Sequence, residues 1–170
     1  FISILGKKSL LDLTVERVLK LNFEKKPIFV CNKKHGFLLK ETLKKYMLEA
    51  DIILEPEGKN TCAAIYLAAK HCSSSDNLLI MPSDHLIPNI KKFLETILFL
   101  KKNITSDHWF TLGIKPTKAS EAYGYIKVKE SKTRNLYKVI KFIEKPTIEI
   151  ASEFVNQDNY YWNSGIFIAN

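Results

Sequence analysis

Three short segments place carboxylates, a lysine and a glycine-bearing turn directly behind apolar runs, where nucleotide and sugar-phosphate chemistry needs them. The first, Glu55-Pro56-Glu57-Gly58-Lys59-Asn60-Thr61, follows Asp51 to Leu54 (DIIL) and leads into the alanine-rich stretch Thr61 to Cys72. A glycine and small polar residues at a helix start let backbone amides approach a base or a phosphate closely. The same composition also makes an ordinary strand-to-helix turn with Asn60 or Thr61 as its N-cap. The second, Pro82-Ser83-Asp84-His85, follows Leu78 to Met81 (LLIM). A carboxylate there is placed to hold magnesium, which favours oxygen ligands and binds one or two carboxylates together with substrate phosphates. Asp84 serves equally as a turn residue or cap, and His85 reads as a structural histidine, because no partner for a base is visible in sequence. The third is Glu144-Lys145-Pro146. A glutamate beside a lysine offers hydrogen bonds to sugar hydroxyls and a charge for a phosphate, while Pro146 ends the strand's hydrogen bonding. A surface ion pair before a turn has the same composition.

The elements that must hold these segments follow from periodicity. Ser9 and Asp12 form a capping signal, and Leu11, Val15, Val18 and Leu19 recur at helical spacing, which predicts a helix from about Ser9 to Leu21. Pro27 to Cys31 reads as a strand, and Leu39, Leu43, Tyr46 and Met47 restore the helical period behind it. The unit repeats with Asp51 to Leu54 before Thr61 to Cys72, and with Leu78 to Met81 before Ile90, Phe93, Leu94 and Ile97; Trp109 to Ile114 reads as a further strand. Apolar strands alternating with helices imply an α/β fold with a mostly parallel central sheet covered by helices on both faces. The strands from Pro27, Asp51 and Leu78 are expected to run parallel, with Trp109 to Ile114 in the same sheet. In such sheets ligands bind outside the carboxyl ends of the strands, which is where the three segments sit. Beyond Lys115 the period becomes two: Tyr123 to Lys129 and Leu136 to Glu144 flank a polar stretch and predict a hairpin. A short helix near Ile148 to Asn156 and a strand from Tyr161 to Ala169 complete the reading.

Composition narrows the partners. With 170 residues, 46% apolar and 26% charged, one globular domain is the default. Three cysteines, Cys31, Cys62 and Cys72, show no CxxC spacing, and four histidines show no i, i+4 pair, so neither a disulfide framework nor a zinc site is expected and a cytoplasmic location follows. No apolar run reaches the roughly 18 residues that span a bilayer, so no membrane partner is expected. A formal charge of +8 raises nucleic acid as a partner, but of 26 basic residues only Arg17 and Arg134 carry the planar fork that reads guanine edges. The lysine pairs fall on helix-like segments as solvated faces, so no nucleic acid is expected. The first residue is Phe1 rather than methionine, and Asn170 lies directly behind the apolar run Ile166 to Ala169, so the chain is expected to be a fragment.

Taken in order, these segments resemble the mannose-1-phosphate guanylyltransferases, including forms fused to a phosphomannose isomerase domain. Leu5-Gly6-Lys7-Lys8-Ser9-Leu10-Leu11 is similar to LGxxSLL, Glu55 to Ala64 to EPxGRNTAPA, and Pro82 to His85 to PADH. Tyr123 to Ile126, Phe142 to Pro146 and Trp162 to Phe167 match GYGYI, FxEKP and WNSGxF. The resemblance implies a Rossmann-like nucleotide-diphospho-sugar transferase fold with a β-hairpin sugar-binding region. It also implies a reaction in which a mannose 1-phosphate oxygen attacks the α-phosphorus of GTP, giving GDP-mannose and pyrophosphate. By the same carry-over, Asp84 would hold Mg2+ as the metal-binding carboxylate, and Glu55, Pro56, Gly58, Asn60 and Thr61 would lie near the guanine nucleotide. Gly124, Glu144 and Asn163 would bind the sugar, and Lys145 its phosphate.

Departures qualify the match. The family's GGxGxRLxPxS signature and the lysine of its PKQF segment would lie upstream, with Phe1 as the last residue of PKQF, so the chain reads as one partial nucleotidyltransferase domain, 1–170, without catalysis of its own. A second metal-binding carboxylate would lie beyond Asn170. Lys59 stands where the family motif has Arg, Cys62-Ala63 where it has Ala-Pro, and Ser83 where it has Ala. Lys59 keeps the charge but loses the fork. Two alternatives share the motifs: a non-catalytic sugar-nucleotide-binding regulatory subunit, and a pyrophosphorylase for another hexose 1-phosphate. The sequence leaves a homo-oligomer open.

Overall fold

The computed structural model describes residues 3–58, 60–105, 107–131, 133 and 135–170, and the chain divides into two compact units, Phe1–His108 with Ala169–Asn170, and Trp109–Ile168. Phe1, Lys59 and Arg134 lie outside the described residues.

In the first unit a short antiparallel pair, β1 (Ser3–Leu5) and β2 (Lys8–Ser9), turns through Gly6 at φ 65° and delivers the chain to helix α1 (Leu10–Leu21). The expected capping signal is in place. Ser9 Oγ accepts from the Asp12 amide at 3.1 Å, and Asp12 Oδ2 accepts from the Ser9 amide at 2.7 Å, so two otherwise unpaired donors of the first turn are satisfied reciprocally. The chain continues through β3 (Ile28–Asn32), a 3₁₀ turn at Lys33–His35, α2 (Gly36–Lys45) and β4 (Asp51–Glu55), and β3 and β4 pair in parallel with Ile28 opposite Asp51. Leu11 and Val15 of α1 and Leu39 and Leu43 of α2 form a buried cluster, packed by Phe29, Cys31 and Ile52 of the strands. Helix α3 (Asn60–Ala69), strand β5 (Leu78–Ile80) and helix α4 (Ile90–Lys101) follow, the last capped by Asn89.

The second unit is antiparallel. Strands β7 (Tyr125–Glu130) and β8 (Tyr137–Ile143) form the expected hairpin, and β9 (Tyr160–Ala169) pairs with β7 on one side and with β6 (Phe110–Ile114) on the other. Helix α5 (Ile148–Val155) closes the core: Phe154 stacks on Tyr160 with ring centroids 4.1 Å apart, around fully buried Tyr125 and Ala151.

Three expectations need correction. The strands do not form one mostly parallel sheet: β3 and β4 pair in parallel as a two-stranded sheet that does not include β5, and β6 runs antiparallel to β9. An apolar run marks a buried strand but carries no direction. Direction is decided by the connection, and β6 reaches β9 by way of a hairpin and a helix, not a single crossover. Met47 is not helical; it follows the end of α2 with φ 49° and is almost fully exposed. On α1, Leu19 is exposed while Arg17 is buried.

Asp12 generates a stability prediction. Burial works against its ionisation, but the Lys45 ammonium at 2.7 Å, the Ser9 hydroxyl and amide, and the Tyr46 hydroxyl outweigh it and hold the carboxyl well below the usual carboxylate range. The folded value therefore lies below the unfolded one of about 3.9. Ionised Asp12 stabilises the fold fully above that pH, and the contribution is lost as pH falls from there toward the depressed folded value. Asp12→Asn in the full-length protein should lower the unfolding free energy by about 1–2 kcal/mol at neutral pH. Urea titrations should show the gap narrowing below about pH 4, where Asp12 of the unfolded chain takes up a proton that the folded carboxylate still refuses.

Candidate active site

The first unit carries two of the three chemical segments. Strand β4 ends at half-buried Glu55, and Pro56, Gly58, Asn60 and Thr61 follow it into solvent. Gly58 has no φ in the left-handed region, and a Cβ built on it would meet nothing within 4 Å, so neither backbone nor packing explains a glycine there. Asn60 opens α3 with φ 65°, a conformation that its short amide side chain tolerates, which puts Asn60 at the boundary and Thr61 inside the helix.

Asp84 lies in the loop behind β5, exposed, with no hydrogen bond or ion pair to its carboxylate among the described residues. The Ser83 carbonyl just before it lies 3.1 Å from Thr14 Oγ1 of α1, whose one proton also has the Leu10 carbonyl in range at 3.0 Å. His85 is half-buried. Burial pushes its imidazole below the ordinary value, the Asp84 carboxylate opposes this, and the Arg17 guanidinium adds to it. Partial burial of this kind fits the structural reading of His85.

In the second unit Gly124, Glu144 and Asn163 are brought together from three segments. A Cβ on Gly124 would fall 2.8 Å from Glu144 Oε2 and 3.1 Å from Phe142 Cζ, so the glutamate lies directly against the glycine's Cα. The Asn163 amide donates to the Gly124 carbonyl at 2.8 Å. Its side-chain Oδ1 accepts from Thr111 Oγ1 at 2.9 Å, which leaves the two Nδ2 protons without a partner among the described residues. Lys145 follows Glu144 with φ 43°, a conformation uncommon for a residue with a side chain, and buried Pro146 comes next. Its ammonium stands 4.0 Å from Glu144 Oε1 and both side chains are more than half exposed, so the pair is loose and leaves donors and acceptors to spare.

Three supporting residues lay outside the sequence reading. Thr111 aims Asn163, Thr14 tethers Ser83, and Arg17 donates to Thr14 Oγ1 while being only 2% exposed. A signal existed for the last two: Thr14 and Arg17 sit three residues apart, between the apolar positions of α1, where a helix normally buries hydrocarbon. Thr111 gave none, since a threonine in a strand is ordinary.

Known proteins resemble this chain along its length. The family described as Nucleotidyl transferase matches residues 1–170. Mannose-1-phosphate guanylyltransferase RfbM of Salmonella typhimurium is 38% identical over 99% of this chain, which spans 36% of that protein's length. The solved structure of a mannose-6-phosphate isomerase from Helicobacter pylori superimposes with a TM-score of 0.86 at 32% identity, covering 98% of this chain and 63% of that one. A second, mannose-1-phosphate geranyltransferase from Thermus thermophilus, gives a TM-score of 0.80 at 26% identity, covering 95% and 47%. The chain thus spans little more than a third of the curated relative's length and shares the α/β fold of both solved structures. With its whole length matched, the chain belongs to the nucleotidyl transferase family.

Proposed function

We propose that this chain is part of a mannose-1-phosphate guanylyltransferase and contributes sugar-binding, phosphate-binding and metal-binding groups to GDP-mannose synthesis from GTP and mannose 1-phosphate. The observation that carries the reading is the cluster of Gly124, Glu144 and Asn163: a carboxylate acceptor lying against a glycine, beside an amide whose two protons have no partner among the described residues. A polyhydroxylated ligand offers donors and acceptors to match both. The 38% identity with RfbM supports mannose 1-phosphate and GTP as the substrates.

The reaction is a displacement at phosphorus. An oxygen of the sugar phosphate attacks the α-phosphorus of GTP, the bond to the bridging oxygen breaks, and pyrophosphate leaves with the electron pair. No protein nucleophile is needed, so the chain positions the reactants and offsets charge. Glu144 and Asn163 orient the sugar, Lys145 neutralises its phosphate, and the Glu55 to Thr61 turn, with Gly58, Asn60 and Thr61, lets the nucleotide approach the backbone.

Magnesium fits Asp84. The carboxylate is exposed and unpartnered, and among the described residues no group of three or more His, Cys, Asp and Glu forms a cage. A lone carboxylate suits an ion that keeps waters and shares substrate phosphates. Bound there, magnesium would offset negative charge on the phosphates.

The same reading places the chain in one partial nucleotidyltransferase domain of a cytoplasmic protein. The three cysteines are free thiols, as a reducing compartment keeps them. Within the described residues no helix is long and apolar enough to cross a membrane.

Two outcomes test the reading in the full-length protein. Asp84→Asn should lower turnover by about 10²- to 10³-fold while moving the urea midpoint little, because an exposed, unpaired carboxylate contributes almost nothing to packing. Near-normal turnover would make Asp84 a turn residue. Gly124→Ala should leave the fold intact, since the exposed Glu144 carboxylate can swing aside and the half-exposed Phe142 ring need give only a few tenths of an ångström, yet lower kcat/KM for mannose 1-phosphate by about 10- to 100-fold, mainly through KM. An unchanged KM would remove Glu144 from the sugar site.

A further inference from the structure

Arg17 is the least expected side chain of the first unit. It is 2% exposed on a helix whose neighbouring buried positions are Leu11 and Val15, it has no carboxylate partner among the described residues, and its buried Nε has no hydrogen-bond partner. Burial lowers its proton affinity, but a guanidinium stays charged in a protein. A buried charge without an ion pair is costly, so packing alone gives no account of it.

Its one hydrogen bond leads to the Asp84 loop. Arg17 donates from a terminal nitrogen to Thr14 Oγ1. A hydroxyl has one proton and two lone pairs, so with a lone pair taken by Arg17 the proton is directed at a carbonyl. Two stand in range: Leu10, within α1, at 3.0 Å, and Ser83, in the loop, at 3.1 Å. Among the described residues the contact to Ser83 is the one side-chain hydrogen bond from α1 to residues 82–85. Donation from a cation strengthens the next bond in such a chain.

We propose that Thr14, oriented by Arg17, is a positioning residue for Asp84: the Arg17–Thr14–Ser83 chain fixes the backbone one residue before the carboxylate and so sets where it meets the metal. The proposal rests on Asp84 being the magnesium carboxylate.

The test compares Thr14→Val, which keeps the shape and loses the hydroxyl, with Thr14→Ser, which keeps the hydroxyl, and with Asp84→Asn, all in the full-length protein. The readouts are Mn2+ binding followed by its EPR signal, the magnesium concentration giving half-maximal turnover, and the urea midpoint. Thr14→Val should weaken metal binding about 10-fold in both metal assays, as loss of a group behind a metal ligand does, with Thr14→Ser close to the native protein. Val and Ser variants with the same native-like metal affinity would overturn the positioning role alone, provided Asp84→Asn has lost the metal. Native-like Mn2+ binding by Asp84→Asn would overturn the metal assignment and the positioning role together. Arg17→Met adds a check on the charge, and the Thr14 pair decides the matter should that variant fail to fold.

Discussion

The arrangement of the first unit depends on one buried carboxylate. Asp12 caps the first turn of α1 through Ser9, and its other oxygen reaches Lys45 at the end of α2. Tyr46, next along the chain, donates to Glu16 one turn further down α1 at 3.1 Å, and Lys8 pairs with the same glutamate at 2.6 Å. The ends of two helices are therefore tied by charge-assisted bonds directly above the apolar cluster of Leu11, Val15, Leu39 and Leu43. Apolar packing alone would tolerate rotation of α1 about its axis, because hydrocarbon contacts have no direction. The Asp12 and Glu16 contacts remove that freedom. The rotation so fixed is also what turns Thr14 and Arg17 inward.

Much of this was legible as pattern. The Ser9 and Asp12 cap, every helix, and the hairpin of β7 and β8 follow from spacing and turn chemistry, and their limits fall within a few residues of those expected. Strand direction was not legible. Phe110 to Ile114 and Ile28 to Cys31 both read as strands, yet one runs antiparallel and the other parallel, because pairing is settled by the returning chain rather than by local composition. The short β1 and β2 pair was missed for a related reason: strands of three and two residues are too brief to establish a period.

The candidate site was legible in its outward groups and illegible in their supports. Asp84, Glu144 and Lys145 announce themselves by charge behind apolar runs. Gly124 becomes meaningful only when Glu144 is found against its Cα, a contact across 20 residues that no local rule supplies. Asn163 is aimed by a threonine 52 residues away. Supports of this kind are ordinary residues in ordinary elements, made specific by what folding brings beside them.

The two units solve the same electrostatic problem in the same way. Asp84, Glu144 and Lys145 are all exposed, so their charges remain hydrated without ligand and avoid the desolvation cost that burial would impose. Exposure by itself would leave them mobile, and a mobile group loses entropy when a ligand orders it. The structure separates these demands by anchoring the backbone rather than the charge. Ser83 is held by Thr14, Gly124 by the Asn163 amide, and Lys145 precedes a buried proline whose ring limits the chain's exit from β8. The left-handed φ at Lys145 fits the same logic, since a conformation costing about 1–3 kcal/mol persists only where its neighbours leave little alternative. A solvated charge on an anchored backbone can in general exchange its water for a bound group without the loop that carries it also having to be ordered.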